Sequence, residues 1–295
     1  MLHETAPSVL TIRKLMQHFA AEVGGVDVRE PLDATMLAAL RGAMNEYAVV
    51  VLRNQDINDM QQLRFSRQFG TLERVYQLKM ESALADRHIV VLSNVDEETG
   101  NLYAAGDPRG AYREGNELWH SDSSFKPVAA KYSILSGRQV PPEGADTQFA
   151  DLRIVWDELP DAEKAHYREL AGEHSIVYSR SVSNPNQTFF EEEEKALLKP
   201  VQHPLVRRHP ETGRMALYAG AHASHIVGMP IDEGRAIIKT LIEAATLPER
   251  IYQHQWQPKD LVIWDNRSVI HRGTKFDAAR YARVMHRTTI AGDAS

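Results

Sequence analysis

Short strand-like segments follow one another through the last two thirds of the chain, beginning near residue 88. Each is rich in β-branched or aromatic residues and is bounded by Gly, Pro, Asp or Asn, a pattern typical of β-strands joined by turns. The predicted strands are 89–92, 132–135, 147–149, 175–178, 215–218, 261–264 and 284–290. One helix is predicted among them, at about 232–246, because its apolar residues recur at helical spacing. This order predicts a mainly β fold with flanking helices, in the form of a sandwich or a jelly roll.

The first third of the chain mixes helix and strand signals. Asp33 stands where a helix N-cap is expected, and apolar residues follow it at helical spacing as far as Tyr47. The apolar run at 49–52 predicts a short buried strand. Asn58, with a glutamine three residues later, predicts a second helix that begins with a capping box and ends near Gly70.

The length of the chain bears on its division into domains. At 295 residues it is long for one all-β domain and short for two. We expect a single domain over 1–295, with an α/β N-terminal part at 10–87 and a β core at 88–290. Two stretches of the core, at about 96–117 and 180–200, are rich in polar and turn-forming residues and are predicted to be long inserted loops.

The composition narrows the kinds of site that the chain can build. It contains no cysteine, which excludes disulfide scaffolds and cysteine-ligated zinc or iron–sulfur sites, so any metal would be bound by histidine and carboxylate. The formal net charge of −6 argues against a nucleic-acid partner, which would require a basic surface. Neither a secretory signal nor an apolar run of about 18 residues is present. We therefore expect a cytoplasmic protein with no membrane partner, and we expect a homo-oligomer.

A His-x-Asp pair, followed much later by another histidine, is the strongest indication of a metal site. Residues i and i+2 of an extended strand point to the same side, so His120 and Asp122 would offer an imidazole and a carboxylate to one ion. His271 is the candidate third ligand. Two histidines and one carboxylate form the facial triad of non-haem Fe(II) oxygenases, which leaves coordination positions open. Among 13 histidines the pair alone is a weak signal, and a surface or core histidine is the alternative.

Four ordered motifs surround these residues. They read Leu-Trp-His-Ser-Asp-Ser-Ser-Phe at 118–125, Gly-Ala-Asp-Thr-Gln-Phe at 144–149, Trp-Asp-Asn-Arg at 264–267 with His-Arg-Gly at 271–273, and Arg-Val-Met-His-Arg at 283–287. In this order they resemble the iron motif, the GGDT-x-F strand, the distal-histidine segment and the closing strand of the taurine/2,4-dichlorophenoxyacetate (TauD/TfdA) dioxygenase family. The resemblance covers nearly the whole chain, from about residue 11 to residue 290.

Within that family, the aryloxyalkanoate dioxygenases are the more similar members, through 118–125 and through Gly-Ala-His-Ala-Ser-His at 220–225. The resemblance implies a double-stranded β-helix, the jelly roll of the cupin type, which brings residues distant in sequence to one open mouth. It also implies a dioxygenase that uses Fe(II), 2-oxoglutarate and O₂ and releases succinate and CO₂. Its iron would be held by His120, Asp122 and His271.

The resemblance assigns further residues to 2-oxoglutarate. Arg283 is similar to the family's arginine for the far carboxylate, a task that suits a bidentate guanidinium. Thr147 resembles the threonine whose hydroxyl bonds the same carboxylate, and Asn116 matches an asparagine just ahead of the iron motif that is expected to line the pocket. Arg283 follows His271 by one residue more than the family spacing, which leaves Arg280 as an alternative.

The substrate implied by the resemblance is a small acid. Arg287 matches the arginine that holds the sulfonate in taurine-type members and is expected to hold a substrate carboxylate, with 2-oxoglutarate as its alternative ligand. Lys79 and His222 are further candidates for the substrate pocket. The histidine that taurine-type members carry shortly after a Phe-Gly pair is absent after Phe69 and Gly70. We therefore expect an aryloxyalkanoate, hydroxylated beside its ether oxygen and cleaved to a phenol and an oxo-acid.

Several alternatives stay open from the sequence. A taurine- or alkyl sulfate-type dioxygenase would keep the family chemistry with a different substrate. A non-catalytic cupin-like binding protein would not need a complete triad, and a zinc hydrolase would not need Thr147 and Arg283. His222 and His225 have a spacing that can ligate zinc, but no third ligand is near them in sequence, so a structural or pocket-lining role is expected.

Overall fold

A seven-stranded sheet is the largest part of the computed structural model, which describes residues 10–76 and 87–293. In spatial order its strands are β1 (Thr11–Lys14), β2 (Ala21–Gly24), β3 (Val49–Leu52), β13 (Leu261–Asp265), β5 (Ala130–Gln139), β15 (Val284–Ala291) and β4 (Ile89–Ser93). Neighbouring strands are antiparallel except β2 and β3, which are parallel. Strands from both ends of the chain therefore share one sheet.

Smaller antiparallel sheets make up the rest of the β structure. They contain β12 (Ile251–His254), β6 (Thr147–Asp151) and β14 (Val269–Gly273), then β11 (Ala223–Ile226), β7 (Ala171–His174) and β8 (Val201–Pro204), and finally β9 (Val206–Arg208) with β10 (Met215–Leu217). Phe149 of β6 and Val269 of β14 pack in one hydrophobic cluster with Trp264 of β13 and Leu135 of β5, so a small sheet faces the large one. The predicted fold, mainly β with flanking helices in a double-stranded β-helix, is confirmed.

Eight α-helices flank the sheets within the described residues. They are α1 (Ala34–Tyr47), α2 (Asp59–Arg67), α3 (Pro108–Glu114), α4 (Leu152–Glu158), α5 (Asp161–Arg168), α6 (Ile176–Ser183), α7 (Glu192–Leu197) and α8 (Ile231–Ala245). Asp33 caps α1 by accepting the Met36 amide, and Asn58 forms the predicted capping box with Gln61 at the start of α2, which ends at Arg67, slightly earlier than predicted. In the described ranges, no helix has the length and apolar character needed to cross a membrane.

The central strands of the large sheet are buried on both faces. Val49 and Val51 of β3 lie in the cluster between the sheets, whereas Val50 and Leu52 lie in the cluster that the sheet forms with α1 and α2. Alternate side chains of a strand point to opposite faces, so a strand buried on both sides needs an unbroken apolar run. This confirms the strand predicted at 49–52 and defines an interior face on which the site is built.

The segment 175–178 was predicted to be a strand, and this is wrong. Ser175 has an extended backbone, and its hydroxyl accepts the Tyr178 amide at 3.1 Å, which makes Ser175 the N-cap of α6. A serine at this position satisfies one of the free amides of the first helical turn. The cap therefore outweighs the strand propensity of the apolar residues that follow it.

The two stretches predicted as long loops are partly helical. The 96–117 insertion contains α3, and the 180–200 insertion contains the end of α6 and all of α7. They pack on each other through Tyr112, whose ring lies 5.5 and 6.0 Å from the rings of Phe189 and Phe190. The expectation of a single helix among the strands is therefore also wrong. Helices α3 to α7 were not predicted because they are short and lack a long apolar repeat.

Candidate metal centre and its cavities

Backbone pairing brings His120 and His271 side by side. The two residues form an isolated antiparallel bridge, in which each backbone amide donates to the other residue's carbonyl, at 3.0 and 2.8 Å. Asp122 lies two residues further on, at the start of a turn in which Ser123 has a left-handed φ of 53°. The extended strand expected over these residues is therefore wrong. A bridge and a turn, rather than strand alternation, direct the two motif side chains to one point.

The three side chains are buried and their ligand atoms converge. Nε2 of His120 lies 3.8 Å from Oδ1 of Asp122, and Nε2 of His271 lies 3.7 Å from Oδ2 of the same carboxylate. All candidate ligand atoms lie within 4.8 Å of one another. Within residues 10–76 and 87–293 this is the one group of three or more potential ligands with such spacing, so His222 and His225 form no second group of this kind.

A buried hydrogen-bond network orients the Asp122 carboxylate. Ser133 Oγ, on β5, donates to Asp122 Oδ2 at 2.7 Å, and Asn266 Nδ2 donates to Ser133 Oγ at 2.9 Å. Asn266 Oδ1 accepts from the Asp122 amide and from Trp264 Nε1, both at 3.0 Å. Because these buried groups satisfy one another, the network favours a single orientation of the carboxylate.

Burial gives the three side chains the protonation states that a cation requires. Loss of solvation lowers the pKa of His120 and lowers the pKa of His271 well below its usual value, so both imidazoles are neutral near pH 7. Burial raises the pKa of the Asp122 carboxyl, but the charge of Arg287 and the hydrogen bond from Ser133 act against this, and the pKa lies below its usual value. His120 Nδ1 donates to the Leu118 carbonyl at 2.7 Å, which leaves Nε2 for a metal. This donor set fits Fe(II).

A cavity of about 450 Å³, called here the first cavity, opens beside the triad. Its size is that of a small-molecule site. Thr147, Arg283 and Asn116 all line it, so the structure brings together the three residues expected for 2-oxoglutarate. The Arg283 guanidinium makes no hydrogen bond or ion pair with the described residues, and burial, together with the charge of Arg113, lowers its pKa to about 10. The first cavity therefore contains a cation that lacks an anion.

A smaller cavity, of about 70 Å³ and called here the second cavity, shares Asn116, His120 and Arg287 with the first. His222 lines it, with its ring 5.7 Å from the His120 ring. Nδ1 of His222 lies 2.8 Å from the Ser179 hydroxyl, which itself donates to a backbone carbonyl of α6. Nδ1 is therefore the donor in this contact, and Nε2 of His222 is left as an acceptor.

Arg180 is a cavity residue that sequence reasoning missed. Its buried guanidinium lines the second cavity, donates to Asn116 Oδ1 at 3.2 Å and stacks on the Tyr112 ring at 4.6 Å. It passes so close to Gly115 that a Cβ there would lie 2.0 Å from Nη1, so a side chain at this position would displace Arg180. No local motif marks Arg180, because its partners belong to a distant segment of the chain.

Comparison with known proteins identifies the family. The profile of the family described as "Taurine catabolism dioxygenase TauD, TfdA family" matches residues 11–289. The chain belongs to the TauD/TfdA family. An alpha-ketoglutarate-dependent 2,4-dichlorophenoxyacetate dioxygenase from Cupriavidus pinatubonensis is 40% identical over 277 residues, which cover 92% of this chain and 94% of the relative. An (S)-phenoxypropionate/alpha-ketoglutarate-dioxygenase from Sphingobium herbicidovorans is 37% identical over 93% of this chain and 92% of its own length.

Similarity to a solved structure supports the same assignment. The crystal structure of AAD-2 in complex with Mn(II) and N-oxalylglycine is similar with a TM-score of 0.87 and 40% sequence identity, over 97% of this chain and 98% of AAD-2. Family membership and the complete His-Asp-His group agree. The chain is an Fe(II)- and 2-oxoglutarate-dependent dioxygenase that uses O₂, as the sequence predicted.

The two arginines of the closing-strand motif, Arg283 and Arg287, differ in their side-chain partners. Arg283 and Arg287 both line the first cavity, although Arg283 lies just before β15 and the strand register shifts between Val284 and Met285, so the predicted shared strand face does not account for it. Arg287 Nη1 pairs with Asp122 Oδ1, while its Nε is buried with no partner among the described residues. Arg280 is exposed and does not line either cavity, which disfavours it as the alternative to Arg283. Lys79 lies outside the described residues.

Proposed function

We propose that this dioxygenase acts on an aryloxyalkanoate. It hydroxylates the carbon beside the ether oxygen, and the product separates into a phenol and an oxo-acid. The observation that carries the proposal is the position of the triad, which lies where the two cavities meet. Two ligands would therefore reach one metal from different sides. The relatives named for 2,4-dichlorophenoxyacetate and (S)-phenoxypropionate support this substrate class.

His120, Asp122 and His271 are the proposed iron ligands. When bound, Fe(II) supplies the activation of O₂ by which 2-oxoglutarate is converted to succinate and CO₂ and the substrate gains a hydroxyl group. The protein holds the ligands ready for the ion. The imidazoles are neutral, and Ser133 orients the carboxylate through Oδ2.

Arg283, Thr147 and Asn116 are the proposed 2-oxoglutarate residues. With its keto acid end at the iron, the co-substrate would extend its far carboxylate into the first cavity, where the unpaired Arg283 guanidinium would donate to it. The Thr147 hydroxyl oxygen already accepts from Trp256 Nε1 at 3.0 Å, so its own proton is available for the same carboxylate. Asn116 lines both cavities and would separate co-substrate from substrate.

Arg287, His222 and Lys79 are the proposed substrate residues. While Nη1 of Arg287 stays on Asp122, its unpartnered Nε and its second terminal nitrogen can donate to a substrate carboxylate. The adjacent C–H bond would then be held near the iron, and such positioning accelerates the reaction. Burial lowers the pKa of His222 well below its usual value, so it contributes a neutral wall of the second cavity. Lys79 is proposed from its sequence position alone.

The test of this function is product release. Phenol and succinate would be measured with phenoxyacetate, both enantiomers of phenoxypropionate, taurine and an alkyl sulfate. We expect phenol release that depends on 2-oxoglutarate, with kcat/KM about ten- to a hundredfold lower in Arg287→Gln because a charge-assisted contact is lost. Arg280→Gln, which removes an exposed arginine of the neighbouring segment, is the matched control and should behave as the native chain.

Three results of this assay would change the proposal. Turnover of taurine or an alkyl sulfate without phenol from any aryloxyalkanoate would replace the substrate class by the second candidate, since Arg287 can hold a sulfonate as well as a carboxylate. Phenol release that is unchanged in Arg287→Gln would keep the substrate class and remove the anchor. No succinate release with any acid would favour a non-catalytic binding protein, which the hydrogen-bonded triad disfavours.

We also propose that the chain forms one domain and works as a homo-oligomer in the cytoplasm, on a small acid and without a nucleic-acid partner. The pairing of β3 with β13 supports the single domain, because it joins the 10–87 part to the 88–290 core in one sheet.

Light scattering of the purified chain measures its oligomeric state. The mass of a single chain at micromolar concentration would contradict the homo-oligomer.

A further inference from the structure

A second guanidinium enters the first cavity from α3. Arg113, near the end of this helix, lines the cavity together with Arg283. Its Nη1 is buried and has no hydrogen-bond partner in the part of the chain that the structure describes, whereas its Nη2 donates to the Tyr103 hydroxyl at 3.2 Å. A buried guanidinium nitrogen without an acceptor is costly unless a ligand provides one. Arg113 therefore has the character of a binding residue.

The position of Arg113 is fixed by its own insertion. Its guanidinium lies 5.0 Å from the centroid of the Tyr103 ring, and Arg109, one helical turn earlier, stacks on the same ring at 4.0 Å. Arg109 is paired with Asp96 at 3.0 Å and with Asp107 at 2.8 Å. The two arginines on this face of α3 therefore differ. The charge of Arg109 is balanced by two aspartates of the insertion, whereas Arg113 lines the cavity.

Asn94, which follows β4, forms hydrogen bonds both with the 96–117 insertion, which contains Arg113, and with the segment that contains Arg283. Its backbone carbonyl accepts the Tyr103 amide at 2.8 Å, and its side-chain Oδ1 accepts the Arg283 amide at 2.7 Å. Its Nδ2 donates to the carbonyls of Ala278 and Tyr281, both at 2.9 Å. The insertion and the segment before β15 therefore meet at one residue, which holds the backbone of Arg283 beside the insertion that carries Arg113.

Two like charges that line one cavity repel each other. The charge of Arg113 adds to burial in lowering the pKa of Arg283, and Asp146 compensates only part of this. The two glutamates of the cavity have other partners: Glu114 accepts from an asparagine of the second insertion at 2.9 Å, and Glu117 lies 4.0 Å from a surface lysine. A bound dianion would supply acceptors for the unpartnered Nη1 of Arg113 and for the Arg283 guanidinium.

We propose that Arg113 and Arg283 together bind the far carboxylate of 2-oxoglutarate. The proposal rests on the assignment of the first cavity to this co-substrate. Both oxygens of a carboxylate can accept charge-assisted hydrogen bonds, so two guanidiniums can share it. The 96–117 insertion is then part of the co-substrate site, and Arg113 selects a dicarboxylic 2-oxo acid over a monocarboxylic one.

Binding of 2-oxo acids to the full chain loaded with Mn(II) separates this role from turnover. Calorimetric affinities would be compared for 2-oxoglutarate and for 2-oxopentanoate, which lacks the far carboxylate. The variants are Arg113→Gln, Arg113→Lys and Arg283→Gln. Lys275→Gln removes the charge of an exposed residue at the same cavity and is the matched control.

We expect Arg113→Gln to weaken 2-oxoglutarate binding about ten- to a hundredfold and to leave 2-oxopentanoate binding within about twofold of native. Arg113→Lys should retain part of the 2-oxoglutarate affinity because it keeps the charge without the planar fork. Lys275→Gln should bind both ligands as the native chain does, because an exposed charge is screened.

Native affinity of Arg113→Gln for 2-oxoglutarate would overturn the proposal. If Arg283→Gln then bound 2-oxoglutarate more weakly, Arg283 alone would bind the far carboxylate. An equal loss for both ligands in Arg113→Gln would also overturn it, because only a structural role predicts this. A melting temperature of ligand-free Arg113→Gln below that of the native chain would identify this structural role. If neither arginine variant affected 2-oxoglutarate binding, the assignment of the cavity itself would be wrong.

Discussion

Among single residues, Asp122 is the most constrained side chain of the site. Its Oδ2 accepts from Ser133, and its Oδ1 pairs with Arg287. Burial alone would favour the protonated carboxyl, but the contacts with Ser133 and Arg287 keep it ionised. The residues behind the ligands therefore matter for metal affinity as well as the ligands themselves.

Ser133→Ala is expected to lower the affinity for Mn(II) about ten- to a hundredfold, the usual effect of removing a partner that orients a metal ligand. The change removes the donor to Asp122 Oδ2 and leaves Asn266 Nδ2 without its acceptor. Calorimetric Mn(II) binding measures this. Ser136→Ala, at another buried serine of β5, is the matched control. Native affinity in Ser133→Ala, or an equal loss in Ser136→Ala, would contradict the role.

The predicted site residues that the structure brings together belong to motifs. The triad is one example, and Thr147 and Arg283 are two more, since both line the first cavity. Arg113, Arg180 and Ser133 were not predicted. Their roles depend on contacts between segments that are distant in sequence, and no spacing rule reports such contacts.

Among the elements, α6 shows how a cap can override local propensity. The apolar residues 176–178 favour a strand by composition. Ser175 nevertheless accepts the Tyr178 amide and starts a helix. That helix places Arg180 in the second cavity and a serine hydroxyl on His222, so the cap contributes to the shape of the site.

Ser175→Ala is expected to lower the free energy of unfolding by about 1 kcal/mol, the typical cost of losing an N-cap. Ser175→Thr keeps a hydroxyl at this position and should retain most of the stability. Chemical denaturation measures the effect, with the exposed Ser181→Ala on the same helix as control. A Ser175→Ala variant as stable as the native chain would show that the cap contributes nothing.

The elements that the sequence predicted correctly are those with strong local patterns. Burial on both faces of the sheet explains the unbroken apolar runs at 49–52 and 261–264, and capping residues mark the starts of α1 and α2. The insertions were read as loops because their helices are short and polar. These helices are stabilised by tertiary contacts, such as the packing of Tyr112 on Phe189, which a local pattern does not contain.

For the whole molecule, a buried histidine makes stability sensitive to acid. The His174 ring lies 5.2 Å from His203 and 5.3 Å from Tyr218, and neither of its nitrogens has a partner within the described residues. Burial, with smaller effects of His203 and Arg207, lowers its pKa from 6.5 to about 3. Between these values the unfolded chain binds a proton that the folded chain does not, so the free energy of unfolding falls as the pH falls.

His174→Phe should remove this contribution while keeping the stack on Tyr218. The free energy of unfolding of the variant, relative to native, is expected to rise by about 1.4 kcal/mol per pH unit as the pH falls below about 6. Denaturation at several pH values between about 7.5 and 4.5 measures the difference, with the exposed His166→Gln as control. Parallel pH profiles for His174→Phe and native would contradict the prediction.

The central claim is that His120, Asp122 and His271 hold one Fe(II) between the two cavities. Anaerobic equilibrium binding of Fe(II) tests it most directly, on the native chain and on the alanine variant of each ligand. His225→Ala changes a histidine outside the triad and is the matched control. We predict one ion per native chain, native-like binding in the control, and binding at least about a hundredfold weaker in each triad variant. Near-native Fe(II) affinity in any folded triad variant would contradict the account.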